Sequence, residues 1–122
     1  MNTTFDIALC AARPLPHERL DAFAVAVELV ELAASVCPAR GAAEACDQLR
    51  RASASVALNC AEACGKRGRD RLRYFDIARA SALESAAALR VLVALGALSP
   101  EVYERGRTLC GRLYAMLTRL LR

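Results

Sequence analysis

The chain has 122 residues, a hydrophobic fraction of 56 % and a formal net charge of +4. This length suits one domain with a packed core and is short for two. The longest runs without charge, 52–61 and 91–100, have about ten residues, fewer than the roughly 18 that a membrane span requires. The N-terminus also lacks the basic segment of a signal peptide. We therefore expect a soluble, cytoplasmic protein with no membrane contact.

Alanine supplies much of the apolar content, because aromatic residues make up only 5 % of the chain. Alanine is the best helix former, since it loses no side-chain entropy when the backbone is ordered. Glycine and proline are few, six and four residues, and they cluster near places where helices could end. We predict an all-α protein with an N-terminal extension, 1–15, followed by one four-helix bundle domain, 16–122.

The first helix is predicted from about His17, after Pro14 and Pro16, to Val36, because Pro38 cannot continue it. Its apolar residues recur every three or four positions in two neighbouring stripes. One stripe contains Leu20, Phe23, Val27, Val30, Ala34 and Cys37, and the other contains Ala22, Val25, Leu29, Leu32 and Val36.

The second helix is predicted over 41–64 and the third from about Asp70, a possible capping residue, to Leu95. Gly65 is suited to the residue after the second helix, and Gly96 closes the third. The inner stripe of the second helix contains Cys46, Leu49, Ser53, Val56, Cys60 and Ala63. The apolar residues of the third include Leu72, Phe75, Ile77, Leu83, Leu89 and Leu92.

The fourth helix is predicted to begin with Ser99 as N-cap, Pro100 at the first position and Glu101 in the first turn. It also has two apolar stripes. One contains Val102, Leu109, Leu113, Met116 and Leu120, and the other contains Tyr103, Cys110, Tyr114, Leu117 and Leu121.

Short connections between four helices favour an up-down-up-down bundle. A bundle helix in a monomer needs an apolar face of about 100°, and the first and last helices are apolar over a wider arc. Because such surface is rarely left in water, we predict a homo-oligomer in which these two helices contact other subunits.

Charge is distributed unevenly: residues 1–47 carry a net −4, and residues 48–122 carry a net +8. Arginine suits phosphate binding because its planar fork can donate to two oxygens. The candidate nucleic-acid-binding residues are Arg50, Arg51, Lys66, Arg67, Arg69, Arg71, Arg73 and Arg79. The alternative is a solvated face that keeps an apolar protein dispersed. Bases could stack on few aromatic residues here, so sequence-specific recognition is not predicted.

Polar residues also follow a helical stripe of the second helix. Buried polar groups in a bundle fix the register when each is hydrogen-bonded. We expect Glu62 to pair with an arginine or to cap backbone across the seam, for example with Arg51 of a neighbouring helix. The predicted structural polar network comprises Gln48, Ser55, Asn59, Glu62, Ser81 and Glu84.

The sequence contains no pattern typical of an enzyme or a metal site. The single histidine, His17, lies at a helix start, and no Glu-x-x-His pattern or glycine-rich phosphate loop is present. Cys60 and Cys64 share a helical face, but no second pair of ligands has suitable spacing. We expect no catalytic residue, no metal and no cofactor, and we interpret the six cysteines as small core residues.

The segments "QLRRASASVALNCAEACGK" and "RYFDIARASALESAAAL" resemble the bacterial four-helix-bundle proteins encoded within 23S ribosomal RNA intervening sequences. The related accessory variability proteins of diversity-generating retroelements share that fold. The resemblance covers roughly residues 20–120. The matching positions are Gln48, Leu49, Arg50, Arg51, Ala52, Ser53, Asn59, Glu62, Ile77, Ala78, Ser81 and Glu84. Ala63 and Ala80 stand where the family often has glycine.

The resemblance implies a bundle that assembles as a ring, typically a pentamer. In the retroelement relatives the ring binds nucleic acid and a reverse transcriptase. Our first hypothesis is therefore a non-enzymatic, oligomeric RNA- or DNA-binding accessory protein that serves a reverse transcriptase or ribosomal RNA. The second hypothesis is a protein–protein adaptor ring that binds no nucleic acid.

Overall fold

A computed structural model describes residues 13–36 and 40–122, which form four α-helices and no β-strand. The helices are α1 (Asp21–Ser35), α2 (Ala43–Cys64), α3 (Gly68–Ala94) and α4 (Pro100–Leu120), preceded by a short 3-10 helix, Pro16–Arg19. Within the bundle α1 contacts α2, α2 contacts α3, α3 contacts α4, and α4 contacts α1. This arrangement confirms the predicted all-α, four-helix fold. Cys10, Cys37 and Pro38 lie outside the described residues.

The start of α4 and the end of α3 agree with the sequence. Ser99 Oγ accepts a hydrogen bond from the Val102 N–H at 3.3 Å, and Pro100 is the first helical residue. Gly96 follows α3 in the left-handed conformation, with φ of 73°. This conformation favours glycine because a side chain would clash with the backbone. Capping and glycine chemistry thus fixed these boundaries locally.

Other boundaries differ from the prediction. Leu20 has an extended backbone conformation, which separates the 3-10 helix Pro16–Arg19 from α1. The predicted first helix is therefore interrupted near its start. Gly65 has φ of −92° and does not use the left-handed conformation. Gly68 uses it instead, with φ of 57°, and α3 begins there, two residues before Asp70. Asp70 lies in the first turn of α3, and no side chain caps this helix.

The core is built from the inner faces of all four helices. All six residues of the predicted α2 stripe are buried, which confirms that prediction. In α1 the stripe that contains Leu29 and Leu32 is buried, whereas the stripe that contains Phe23 and Val30 is only partly buried. The buried face of α4 lies between the two predicted stripes. It contains Leu113 of one stripe, and Cys110 and Leu117 of the other. Two adjacent stripes on one helix do not show which of them faces the bundle.

The structure shows which apolar residues of α3 face the core, which the sequence analysis left open. Phe75, Leu89 and Leu92 are buried, but three other large apolar residues of this helix are exposed. These are Leu72, Ile77 and Leu83. The inner face of α3 uses small residues such as Ala78, Ala82 and Ser85 in their place, because α3 approaches its neighbours closely.

Exposed apolar surface is concentrated on α3. The large exposed apolar residues of the described chain are Leu15, Leu58, Leu72, Ile77, Leu83, Val91, Leu95 and Tyr114. Most belong to α3 or its C-terminal end, and one belongs to α4 and none to α1. Helices α1 and α4 keep apolar residues that are only partly buried, such as Phe23, Val30 and Met116. The expectation that these two helices contact other subunits stays a prediction.

Candidate nucleic-acid interface

The connection between α2 and α3 gathers most of the predicted basic residues. After α2 ends, the Gly65 N–H donates to the Glu62 carbonyl at 3.1 Å and the Lys66 N–H to the Ala63 carbonyl at 3.0 Å. The left-handed Gly68 then reverses the chain into α3. Residues 65–75 contain five basic residues and one acidic residue, Asp70. We call the five, Lys66, Arg67, Arg69, Arg71 and Arg73, the basic turn.

Two aromatic rings support the basic turn. The Lys66 Nζ and the Arg73 guanidinium carbon lie 5.8 Å and 5.1 Å from the centre of the Tyr74 ring. The Arg71 guanidinium lies 5.3 Å from the centre of the buried Phe75 ring. Each cation is attracted by the electron-rich face of its ring. These three side chains are therefore held in place, and Lys66 also pairs with Glu62 at 3.5 Å.

Arg67 and Arg69 are the free members of the basic turn. Both are exposed, and neither forms an ion pair or a side-chain hydrogen bond with the residues that the structure describes. They flank the N-terminus of α3, where unpaired N–H groups add positive potential. An anion approaching this end of the bundle would meet two unneutralised guanidinium groups.

The other three candidate arginines lie away from the basic turn. Arg50 Nη2 donates to the Val36 carbonyl at 2.9 Å and lies 3.9 Å from Asp47, so it joins the end of α1 to α2. Arg51 is exposed on α2, about 20 Å along the helix from the turn at 1.5 Å per residue. The structure does not bring these two residues to the basic turn.

The Arg79 side chain makes its contacts inside one subunit and links α3 to α4. Its guanidinium pairs with Asp76 at 3.3 Å and donates to the Thr118 hydroxyl at 3.2 Å. It also lies 5.4 Å from the centre of the Tyr114 ring. Three partners on two helices give this side chain a structural role, and Tyr114 beside it is 39 % exposed.

The polar stripe forms a smaller network than predicted. Ser55 and Ser81 hydroxyls are hydrogen-bonded at 2.8 Å, and Asn59 Nδ2 donates to the Ser55 carbonyl and hydroxyl at 2.9 and 3.0 Å. Gln48, Glu62 and Glu84 are exposed. The stripe runs along the edge of the α2–α3 contact, so short side chains meet there while longer ones extend into solvent.

Among the described residues Glu62 pairs with Lys66, four positions along the chain, and not with an arginine. Side chains four residues apart lie on the same helical face, which favours this local pair. Arg51 lies on the same helix as Glu62, so a pair with Arg51 of a neighbouring helix stays a prediction. The predicted network did not include the buried Ser85, whose hydroxyl donates to the Ser81 carbonyl at 2.9 Å.

The described cysteines behave as core residues. Cys46, Cys60 and Cys110 are buried, and Cys64 is partly buried. Burial raises the pKa of Cys60 to about 12 and that of Cys110 to about 11. Burial also raises the pKa of Cys64, against the opposing effect of the Arg71 charge. These thiols stay protonated at neutral pH and are poor nucleophiles.

Two clefts were not foreseen. A cleft of roughly 690 Å³ between α1 and α4, the α1–α4 cleft, is lined by three carboxylates and one arginine. These charged residues are Glu28, Glu31, Glu104 and Arg105. A groove of roughly 370 Å³, the α3–α4 groove, has no acidic residue in its lining and is bordered by Tyr114 and Arg107. Sequence spacing could not reveal either one, since each depends on how far two helices separate.

Known proteins similar to this chain share its fold. The family model of the 23S rRNA-intervening sequence proteins matches residues 19–119. A crystal structure of a protein of unknown function from the S23 ribosomal protein family of Bacteroides thetaiotaomicron VPI-5482 superposes with a TM-score of 0.72. It is 22 % identical in sequence, and the match covers 83 % of this chain and 94 % of that one. No curated protein matches. Since the family model covers most of its length, the chain belongs to the 23S rRNA-intervening sequence protein family.

Proposed function

We propose that the protein is a non-enzymatic accessory protein that binds RNA or DNA through the basic turn. The observation that supports this most directly is the exposure of Arg67 and Arg69 beside three aromatic-supported cations, with one acidic residue among residues 65–75. Guanidinium groups bind phosphate oxygens through charge-assisted hydrogen bonds. The ligand is therefore the sugar–phosphate backbone, and recognition is largely independent of sequence.

Assembly as a homo-oligomeric ring, a pentamer by the resemblance to this family, is part of the proposal. The exposed Ile77 and Val91 on α3, together with Leu95 at its end, supply surface outside the α3–α4 groove that another subunit could cover. A ring contains one basic turn per subunit, so one strand can contact several of them at once. The overall affinity for the strand is then higher than that of a single basic turn. Sedimentation velocity would test this, and a single-subunit species at micromolar concentration would contradict it.

In this proposal the protein binds nucleic acid on behalf of a second macromolecule, its partner. The resemblance to the intervening-sequence proteins and the retroelement accessory proteins points to ribosomal RNA or to a reverse transcriptase as that partner. The role of the ring would be to hold a strand by its backbone. The raised pKa values of the Cys60 and Cys110 thiols support this role, since protonated thiols are poor nucleophiles.

The test is a salt series of nucleic-acid binding. The affinity of the wild-type protein should fall steeply between about 50 and 200 mM salt, because each neutralised phosphate releases counterions. Replacing Arg67, Arg69 and Arg71 with glutamine should lower the affinity. It should also reduce the slope of log K against log salt by about one for each lost phosphate contact.

The matched control replaces Arg105, Arg112 and Arg119 of α4 with glutamine, which changes the net charge by the same amount. This control should keep most of the affinity. An equal loss in both variants would show that binding follows net charge and not the basic turn. No binding by the wild-type protein at low salt would reject the proposal.

The exposed apolar face of α3 also favours a second candidate, an adaptor ring that binds a protein and no nucleic acid. Leu83 and Leu95 are 54 % and 52 % exposed, more than most core-forming residues in a monomer. In that case one protein should copurify in amounts that nuclease treatment does not change, and the salt series should show no nucleic-acid binding.

A further inference from the structure

The α3–α4 groove combines an apolar floor with an aromatic wall. Its floor is formed by small residues, Ala82, Ala86 and Gly111, and its walls by Leu83 and Tyr114. The volume of roughly 370 Å³ lies near the lower end of the ~300–1,000 Å³ range of small-ligand sites. Small residues leave this space open because their side chains do not reach across the gap between the helices.

Cations border the same groove. Arg107 lines it, and Arg79 stacks on Tyr114 from the side of Thr118. Arg90 follows Leu83 by seven residues, two turns further along the same face of α3. The acidic residue near this end, Asp76, is already paired with Arg79. An anionic ligand with a flat apolar part therefore fits the groove better than a cationic or a purely aliphatic one.

We propose that an unpaired nucleotide of the bound strand occupies the α3–α4 groove, with its base against Tyr114 and its phosphates beside Arg107 and Arg90. This inference rests on the proposed nucleic-acid binding and adds that the strand is single-stranded where it crosses the groove. Bases stack well on aromatic rings and arginine planes whatever their identity. Bases inside a duplex are already stacked and paired, so they cannot enter a groove between two helices.

The groove lies within reach of the basic turn. Leu83 follows Arg69 by fourteen residues on the same helix, which corresponds to about 21 Å. Arg79 and Arg73 lie between them on α3. A strand held by its phosphates at the basic turn can therefore continue along α3 and place a base in the groove.

The experiment compares Tyr114→Phe with Tyr114→Leu in binding a short oligouridylate, and in a second arm the matching oligothymidylate. Phenylalanine keeps the ring, whereas leucine keeps apolar bulk and removes it. Tyr114→Phe should bind like the wild-type protein, and Tyr114→Leu should bind about five-fold or more weakly, the low end of one lost base stack. A thermal unfolding curve of each variant confirms that the bundle is intact.

The outcomes separate this inference from the proposed function. If the wild-type protein binds and both variants bind equally well in both arms, the groove is not occupied by a base, while the basic turn still accounts for binding. If the wild-type protein binds neither oligonucleotide, both proposals fall. Ultraviolet cross-linking with mass spectrometry gives a second readout. Cross-links near Tyr114 support the inference, and cross-links confined to the basic turn overturn it.

Discussion

The α2–α3 pair and the α1–α4 pair differ in how closely their helices approach. α2 and α3 make the most extensive helix contact of the bundle, and the hydroxyls of Ser55 and Ser81 meet at 2.8 Å between them. α1 and α4 make the least extensive contact between neighbouring α-helices and leave the α1–α4 cleft. Small buried side chains allow the close approach, as Ala78 and Ser85 of α3 show. The basic turn therefore joins the two helices that are packed most firmly.

The two pairs also treat charge differently. Arg105 lies in a cleft with three carboxylates, so its positive potential is largely offset. Arg119 likewise lines a smaller cleft together with Asp21. Arg67 and Arg69 have one acidic residue, Asp70, among residues 65–75 and form no ion pair with a described residue. The number of arginines on a helix is thus a weaker indicator of an anion site than the balance of cations and acids around them.

The largest difference in the free energy of unfolding is expected when a larger side chain is introduced at the α3 core and, for comparison, in the α1–α4 cleft. Ala78→Leu adds volume to the close-packed inner face of α3 and should lower the free energy of unfolding by about 1–3 kcal/mol. Thr108→Phe adds a comparable bulk in the open α1–α4 cleft and should change it by less than about 0.5 kcal/mol. Chemical denaturation followed by circular dichroism measures both. Equal losses would contradict the difference in packing between the two pairs.

A smaller difference is expected from removing serine hydroxyls. Ser55→Ala removes the hydrogen bonds to Ser81 and Asn59 and should lower the free energy of unfolding by about 0.5–1.5 kcal/mol. The control is Ser35→Ala, because Ser35 lines the α1–α4 cleft and its hydroxyl binds only the carbonyl of Leu32. The control should have a smaller effect. A double-mutant cycle of Ser55 and Ser81 that gave no coupling energy would show that the interhelical bond does not contribute.

The smallest effect is expected from reversing single charges. Arg105→Glu places a fourth carboxylate in the α1–α4 cleft and should lower the free energy of unfolding by less than about 1 kcal/mol. Added salt should remove the loss, since it screens exposed charges. Arg69→Glu should leave stability unchanged while it weakens nucleic-acid binding. A salt-independent loss for Arg105→Glu would point to packing and not to charge repulsion.

The fold could be predicted largely because local signals mark the helix ends. Ser99, Pro100 and Gly96 act through their own backbone and side-chain chemistry, which needs no information about the rest of the bundle. The α2 stripe was clear because polar and charged residues fill its other faces. The basic turn could likewise be located from the sequence, since its members are neighbours along the chain.

The orientation of α3 and the grooves could not be predicted in this way. Alanine is tolerated both inside and outside a bundle, so an alanine-rich helix such as α3 gives little contrast between its faces. The exposed positions of Leu72 and Leu83 follow from the close approach of α3 to its neighbours, which only the assembled bundle determines. For the same reason Tyr114 could be assigned to a stripe of α4 but not to the border of a groove.

Gly68 lies between Arg67 and Arg69, with φ of 57°. Any other residue in this conformation costs roughly 1–2 kcal/mol, even though the space around its Cβ position is open. A sixth cation at position 68 is therefore disfavoured, and during evolution the charge of this end can increase only at neighbouring positions. Relatives that bind polyanions more or less tightly should differ on either side of this glycine while keeping the glycine itself.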